Sequence, residues 1–258
     1  MGYTAGKLLE RALGEEGYLE KKSPAMLDEK TANAGAGNCT KYARDLHQAG
    51  YYNGSKQGVA WCSVFVDWCH YMAAGKEKAT AQRISCQSGI YGASCTYSMR
   101  YYQAAGRFYT DAPKPGDQIY FGSGKSAEHT GIVWKVENGR VYTVEGNTSS
   151  RSGVVANGSG VFCKSYPITD SRILGYGRPR YAENSISPAT VRRGDQGEPV
   201  RALQLLLIGS GCDCGKWGAD GKYGSATENA VLQYQIEHGL SRDGVAGPET
   251  WGNLLGVA

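Results

Sequence analysis

The polar, proline-bearing stretch Glu183-Asn-Ser-Ile-Ser-Pro-Ala-Thr190 constrains the fold of this chain more than any other feature. Apolar periodicity stops there, so residues 183–190 read as a linker between two units with separate cores. Residues 1–182 mix helix and strand signals, whereas residues 191–258 carry helix signals alone. A chain of 258 residues is long for one domain and comfortable for two. Glycine contributes 37 residues, about twice its usual share of roughly 7%. With no Gly-X-Y period, these glycines imply many turns between short elements.

The first unit opens with helices. Thr4 is placed to cap a helix over 5–13, and Asn38 or Thr40 to start one that Gly50 ends. Trp61, Phe65, Trp68 and Met72 fall at helical spacing within Trp61–Ala74, which Gly75 stops. A further helix is expected over Ser98–Ala105. After Pro113-Lys-Pro-Gly116 come β-branched and aromatic runs at Gln118–Phe121, Gly131–Val136, Val141–Glu145, Val161–Tyr166 and Ile173–Tyr176. Helices first and an antiparallel sheet second define an α+β domain. In the second unit, Asp220-Gly221-Lys-Tyr-Gly224-Ser-Ala-Thr227 repeats as Asp243-Gly244-Val-Ala-Gly247-Pro-Glu-Thr250. Each copy reads as a glycine turn leading into a helix. With a helix near Pro199–Ile208, this makes a small all-α, three-helix module.

Composition excludes several classes. The net charge of +4 is uneven: 22 Lys and Arg stand against 15 Asp and Glu up to residue 182, and 6 against 9 after it. No basic run stands out, so nucleic acid is not an expected partner. A mildly basic first domain suits an anionic polymer, though solubility explains the charge equally well. The densest apolar stretch, Leu203–Ile208, contains Gln204 and is far short of the ~20 residues of a membrane helix. Glu10, Arg11, Glu15 and Glu16 leave no apolar signal-peptide core. The expectation is therefore a monomer without membrane insertion, made in the cytoplasm. Cys212-x-Cys214 is too tight for a zinc pair, and Cys62, Cys69, Cys86 and Cys95 lack zinc spacing. Some cysteines could pair as disulfides, Cys86 with Cys95 among them, and the others read as reduced and buried.

Cys62 is the candidate nucleophile. It sits near a helix start, where the dipole favours thiolate over thiol. His70 lies eight residues along the same helix, about 12 Å away at 1.5 Å per residue, beyond reach as its base. His47 reads as surface, and His238 lies in the other unit. His129 remains: it follows the expected loop Ser123–Glu128 and begins a strand. Glu145 and Asn147, on the strand returning from Asn138-Gly139, finish beside it and could hold its imidazole in one tautomer.

Gly58-Val-Ala-Trp-Cys62-Ser-Val-Phe-Val-Asp-Trp68, Glu128-His129-Thr-Gly-Ile-Val133 and Val144-Glu145-Gly-Asn147-Thr-Ser149 together resemble the CHAP amidase/peptidase family. These are papain-like cysteine hydrolases of peptidoglycan related to the NlpC/P60 enzymes. The resemblance covers roughly residues 4–181. It implies Cys62 as nucleophile, His129 as base, and Glu145 and Asn147 as orienting groups. Some members bind calcium through acidic residues before the cysteine. Tyr51–Gly58 has no carboxylate, so no calcium site is expected there, and no other metal or cofactor is expected. Residues 191–258 are similar to the three-helix peptidoglycan-binding family, through Val191-Arg-Arg-Gly194-Asp-Gln-Gly197-Glu-Pro-Val200-Arg-Ala-Leu203-Gln204 and the two repeats. Together these resemblances imply an endolysin-like hydrolase that reaches bacterial peptidoglycan after release through a holin or lysis. It would act as an N-acetylmuramoyl-L-alanine amidase or a peptide endopeptidase. A papain-like acyltransferase and a non-catalytic wall-binding or phage tail component are the alternatives.

The resemblance also constrains the hairpin, because His129 and Glu145 must face one cleft. A two-residue Asn138-Gly139 turn puts them on opposite faces, since side chains alternate along a strand. A three-residue loop, Glu137-Asn138-Gly139, sets Val136 against Arg140, Gly131 against Glu145 and His129 against Asn147. That loop is therefore expected, with Gly139 at positive φ. A bulge elsewhere would restore the facing by another route.

Overall fold

The computed structural model describes residues 3–88, 91–150, 153–154, 158–181 and 189–256. Most of the expected linker, residues 183–188, lies outside the described residues. The chain divides into two compact units, residues 15–181 and residues 1–14 with 182–258. The first helix, α1 (Ala5–Gly14), thus groups with the C-terminal helices rather than with the remainder of residues 1–182.

The larger unit contains α2 (Lys41–Gln48), α3 (Cys62–Ala73), α4 (Lys78–Ile84) and α5 (Cys95–Ala104). They precede β1 (Phe108–Tyr109), β2 (Gln118–Ser123), β3 (Ser126–Glu137), β4 (Arg140–Thr148), β5 (Gly160–Pro167) and β6 (Ile173–Gly177). The strands form one antiparallel sheet in the order β1-β6-β2-β3-β4-β5. Thr40 caps α2 by accepting the Ala43 N–H at 3.1 Å, and Gly50 ends it at φ 59°. Every residue of α3 from Cys62 to His70 is buried. This helix packs on β3 and β4 and against α2, α4 and α5. Trp61, just before it, and its own Phe65 and Trp68 surround the Tyr42 ring of α2 at centroid distances of 5.5, 5.2 and 4.9 Å. A Cβ on Gly146 of β4 would meet Phe65 Cβ at 2.5 Å and Trp61 Cζ3 at 2.8 Å. Only a glycine lets β4 lie this close to the start of α3.

Two hairpins differ from expectation. Ser123 pairs with Ser126 across Gly124-Lys125, so the expected loop Ser123–Glu128 is a tight turn and β3 starts at Ser126. His129 accordingly lies within a strand, opposite Phe121. In the β3–β4 hairpin, Glu137 pairs with Arg140 and Val136 with Val141. The three-residue loop is therefore incorrect. Asn138 (φ 50°) and Gly139 (φ 70°) form a two-residue turn with both residues left-handed, which matches strand twist. The ladder then slips between Val133 and Lys135, leaving Trp134 as the extra residue of a bulge. Beyond it Val133 pairs with Thr143 and Ile132 with Val144. Gly131 consequently faces Glu145, and a Cβ on it would meet Glu145 Cγ at 2.6 Å. The bulge supplies the facing that the longer loop was expected to give.

The smaller unit packs α1 against α6 (Glu198–Gly209), together with α7 (Ser225–Glu237) and α8 (Pro248–Leu254). Leu8, Leu9, Ala12 and Leu13 form the buried stripe of α1, and a Cβ on Gly14 would overlap the Glu198 carboxylate. The sequence repeat is a repeated hydrogen-bond clamp. The two N–H donors of Gln204 Nε2 are shared among Asp220 Oδ1, the Lys222 carbonyl and Thr227 Oγ1 at 2.9–3.1 Å, while its Oε1 accepts the Gly221 N–H at 2.8 Å. Gln235 does the same with Asp243, Val245, Thr250 and Gly244 at 2.9–3.0 Å. Each buried glutamine amide satisfies a turn that would otherwise leave backbone groups unpaired. The next helix then starts at Gly224 or Gly247, with φ −90° and ψ −172° at both.

Candidate active site

Cys62 is the first residue of α3 and only 4% exposed. The backbone N–H groups of Ser63 and Thr130 act on its Sγ to favour thiolate, and α3 packs on β3, the strand that carries His129. The nearest side-chain partner of the thiol is Cys95, the first residue of α5, with the two sulfurs 3.3 Å apart. Ser63 Oγ donates to Cys95 Sγ at 3.3 Å. The two sulfurs, at the N-termini of two helices, are thus joined by a hydrogen bond that either can donate. The hydrogen bond from Cys62 brings Cys95 down to about 7. The same bond, with burial second, holds Cys62 well above the ordinary thiol range. The neighbouring sulfur therefore acts on Cys62 beside the helix start that the sequence points to.

His129 and Glu145 are brought together directly. His129 Nε2 lies 2.9 Å from Glu145 Oε2, and both side chains are wholly buried. Glu145 also accepts from Thr143 Oγ1 at 2.5 Å and Tyr166 Oη at 3.2 Å. Burial, and then the charge of Glu145, keep the Tyr166 phenol well above its usual range, so it remains a donor. A carboxylate accepts only, so its partner nitrogen carries the proton. In the neutral ring Nδ1 is then the lone-pair nitrogen. It is buried and has no hydrogen-bond partner among the described residues. The His129 ring lies near Cys95. Phe121 lies 6.1 Å from the ring, centre to centre, and packs in turn on Tyr166.

Asn147 is buried on the same strand as Glu145, in the left-handed region at φ 56°. It falls where the β4–β5 ladder slips between Glu145 and Thr148, and its carbonyl accepts the Gly158 N–H at 2.9 Å. His70 is buried within α3, where desolvation lowers it to about 3 and keeps it neutral.

Sequence reasoning did not find Cys95, Thr143, Tyr166 or Asp67. Cys95 follows Ser94, a residue type favoured at helix starts, but the helix was expected only from Ser98. Thr143 was accessible through alternation, two residues before Glu145. Tyr166 required the β4–β5 register. Asp67 is buried in α3, accepts from Tyr52 Oη at 2.5 Å, and is raised to about 7 by desolvation. All eight cysteines are free thiols, so the suggested Cys86–Cys95 pairing is replaced by the contact of Cys95 with Cys62. No group of three or more His, Cys, Asp or Glu is placed to hold a metal among the described residues.

Family comparisons agree with this architecture. The CHAP domain matches residues 50–147, which span Cys62, Cys95, His129, Glu145 and Asn147. The "Putative peptidoglycan binding domain" matches residues 196–254. The chain joins a CHAP domain to a helical peptidoglycan-binding domain. Among curated relatives, the N-acetylmuramoyl-L-alanine amidase CwlL of Bacillus licheniformis is 40% identical over 70 residues, 27% of this chain and 19% of that protein. The zinc D-Ala-D-Ala carboxypeptidase of Streptomyces albus G is 38% identical over 65 residues, 25% of this chain and 26% of that protein. Among solved structures, a Burkholderia AP3 phage endolysin is 48% identical over 25% of this chain and 24% of its own, with a TM-score of 0.23. The chain thus spans about a fifth to a quarter of these two curated relatives. No helix among the described residues is long and apolar enough to cross a membrane.

Proposed function

We propose that this protein is an endolysin-like peptidoglycan hydrolase that cleaves an amide bond with Cys62 as nucleophile and His129 as base. The observation that carries this reading is the buried His129–Glu145 pair at 2.9 Å, which leaves Nδ1 as an unbonded acceptor. Cys62 turns from Cys95 to the ring, and His129 Nδ1 takes its proton. The thiolate attacks the amide carbonyl, and the Cys62 backbone N–H at the start of α3 stabilises the oxyanion. His129 returns the proton to the leaving amine, and water then hydrolyses the thioester. Glu145 holds the imidazole through the cycle and stabilises its charged form, with Asn147 orienting the base from the same strand. The C-terminal domain, residues 191–258, holds the enzyme on an insoluble substrate and raises its local concentration.

The relatives do not select the bond. One matched protein is named an amidase and another a zinc carboxypeptidase, over similar shares of this chain. Mass spectrometry of digested wall fragments distinguishes the N-acetylmuramoyl-L-alanine bond from a bond within the peptide. Zymography separates the hydrolase from a wall-binding component, and release of a free amine with water as acceptor separates it from an acyltransferase. Cys62→Ala abolishes lysis with fold and wall binding intact. His129→Ala lowers lysis by ~10²–10⁴. Lysis by folded Cys62→Ala protein refutes the cysteine mechanism.

A further inference from the structure

We infer that Cys62 and Cys95 form a reversible intramolecular disulfide, a covalent modification site that withdraws the nucleophile from reaction. The bond itself is argued from geometry; its effect on activity rests on the function proposed above.

The two sulfurs are 3.3 Å apart, and a disulfide spans ~2.05 Å, so closure requires about 1.2 Å of approach. Each cysteine opens a helix, α3 or α5. The positive ends of two helix dipoles therefore converge on one pair of sulfurs and favour thiolate. Ser63 Oγ adds a hydrogen bond to Cys95 Sγ. Met99, Tyr102, Tyr120 and Ala127 pack with both cysteines in one apolar cluster. Both residues are buried, Cys62 at 4% and Cys95 at 8% exposure, so the exchange requires the two helix starts to part enough to admit a small disulfide.

The oxidant is a low-molecular-weight disulfide such as oxidised glutathione. A thiolate of the pair attacks one of its sulfurs, forming a mixed disulfide and expelling one small thiolate. The second protein thiol, losing its proton to solvent, attacks the protein sulfur of the mixed disulfide and expels the other. Two protein thiols and one small disulfide become one protein disulfide and two small thiols. Cys62 then has no thiolate with which to attack a carbonyl, and a reductant reverses the exchange. Hydrolytic activity therefore follows the thiol–disulfide poise of the surroundings.

The test equilibrates the full chain in glutathione buffers of increasing oxidised fraction, alkylates free thiols, digests without reductant and identifies joined peptides by mass. Wall lysis is measured on the same samples. The expected result is a Cys62–Cys95 crosslink that grows with oxidised glutathione. Lysis falls in proportion to the crosslinked fraction and returns on adding dithiothreitol. Cys86→Ser removes a partly buried thiol packed against the same cluster and keeps the crosslink. Cys95→Ser abolishes it, leaving only a mixed disulfide at Cys62. Absence of the crosslink, in a protein whose lysis Cys62→Ala still abolishes, overturns the disulfide and leaves the hydrolase reading standing. A full crosslink with undiminished lysis overturns the inference and the Cys62 nucleophile together.

Discussion

Gly131→Ala removes no reactive group, yet it should disable the proposed hydrolase. Gly131 lies on β3 two residues after His129 and faces Glu145 across the strand pair. Its φ is outside the left-handed region, so alanine suits the backbone. The obstruction is spatial: the new Cβ would stand 2.6 Å from Glu145 Cγ and 3.0 Å from the Val144 carbonyl oxygen. Carbon atoms rest at ~3.5–4.0 Å, so the Glu145 stem must withdraw by about 1 Å. The His129–Glu145 bond is 2.9 Å, and such bonds extend to only ~3.2 Å. The substitution therefore breaks the contact that sets the tautomer. Overpacking a filled site costs about 1–3 kcal/mol, and a lost hydrogen bond to a charged group about 1.5–3 kcal/mol. A 1 Å misplacement near the reacting groups lowers rate by ~10²-fold. Clearing of purified cell walls, with thermal unfolding of the same sample, checks both effects. The variant should melt cooperatively at lower temperature and lyse walls about 10²-fold more slowly. A folded variant that lyses like the parent refutes the role given to Glu145.

Asp67 makes stability depend on pH. Burial raises it from 3.8 to about 7, so the folded protein retains a proton that the unfolded chain has lost. Its contribution is full below about pH 3.8 and is lost as pH rises to about 7. Asp67→Asn should therefore gain stability over the parent through that window, by at most about 1.4 kcal/mol per pH unit; a pH-independent difference in denaturant titrations refutes this. Residues 15–181 alone should cleave soluble muropeptides but sediment less with intact walls than the full chain, and equal sedimentation contradicts the tethering role. EDTA should leave lysis unchanged, because Tyr51–Gly58 carries no carboxylate; inhibition relieved by calcium overturns that reading.

Elements whose residues carry their own punctuation were legible in the sequence. The stripe Trp61, Phe65, Trp68 and Met72, closed by Gly75, specifies α3 without tertiary information. The two Asp-Gly turns do the same for α7 and α8, although their role as glutamine clamps depends on Gln204 and Gln235 from the preceding helices. α4 has only Ala81 and Ile84 buried, too short a pattern to detect against the surrounding polar residues. The two-residue β1 exists only because β6 pairs with it. The grouping of α1 with α6 is equally non-local, since an apolar stripe of Leu8, Leu9, Ala12 and Leu13 does not specify which surface covers it.

The candidate site shows where local reading ends. Asn138-Gly139 is a strong signal for a two-residue turn, and the chain follows it. The requirement that His129 and Glu145 share a face is also met. The two conflict only if the ladder between them is regular, and Trp134 makes it irregular. A bulge adds one residue to one strand and exchanges the faces of everything beyond it. Nothing in Val133-Trp-Lys135 announces this, because Trp134 and Tyr142 pack on each other at 5.5 Å as an ordinary cross-strand pair would. What selects the bulge is what lies beyond it. Without the slip, the His129–Glu145 bond and its support from Thr143 and Tyr166 could not form on one face, and buried polar groups would be left unpaired. Cys95 follows the same logic from the helical side. Its start of α5 has a local signal in Ser94, but its relevance arises only where the starts of α3 and α5 meet, 33 residues apart in sequence and 3.3 Å apart at the sulfurs.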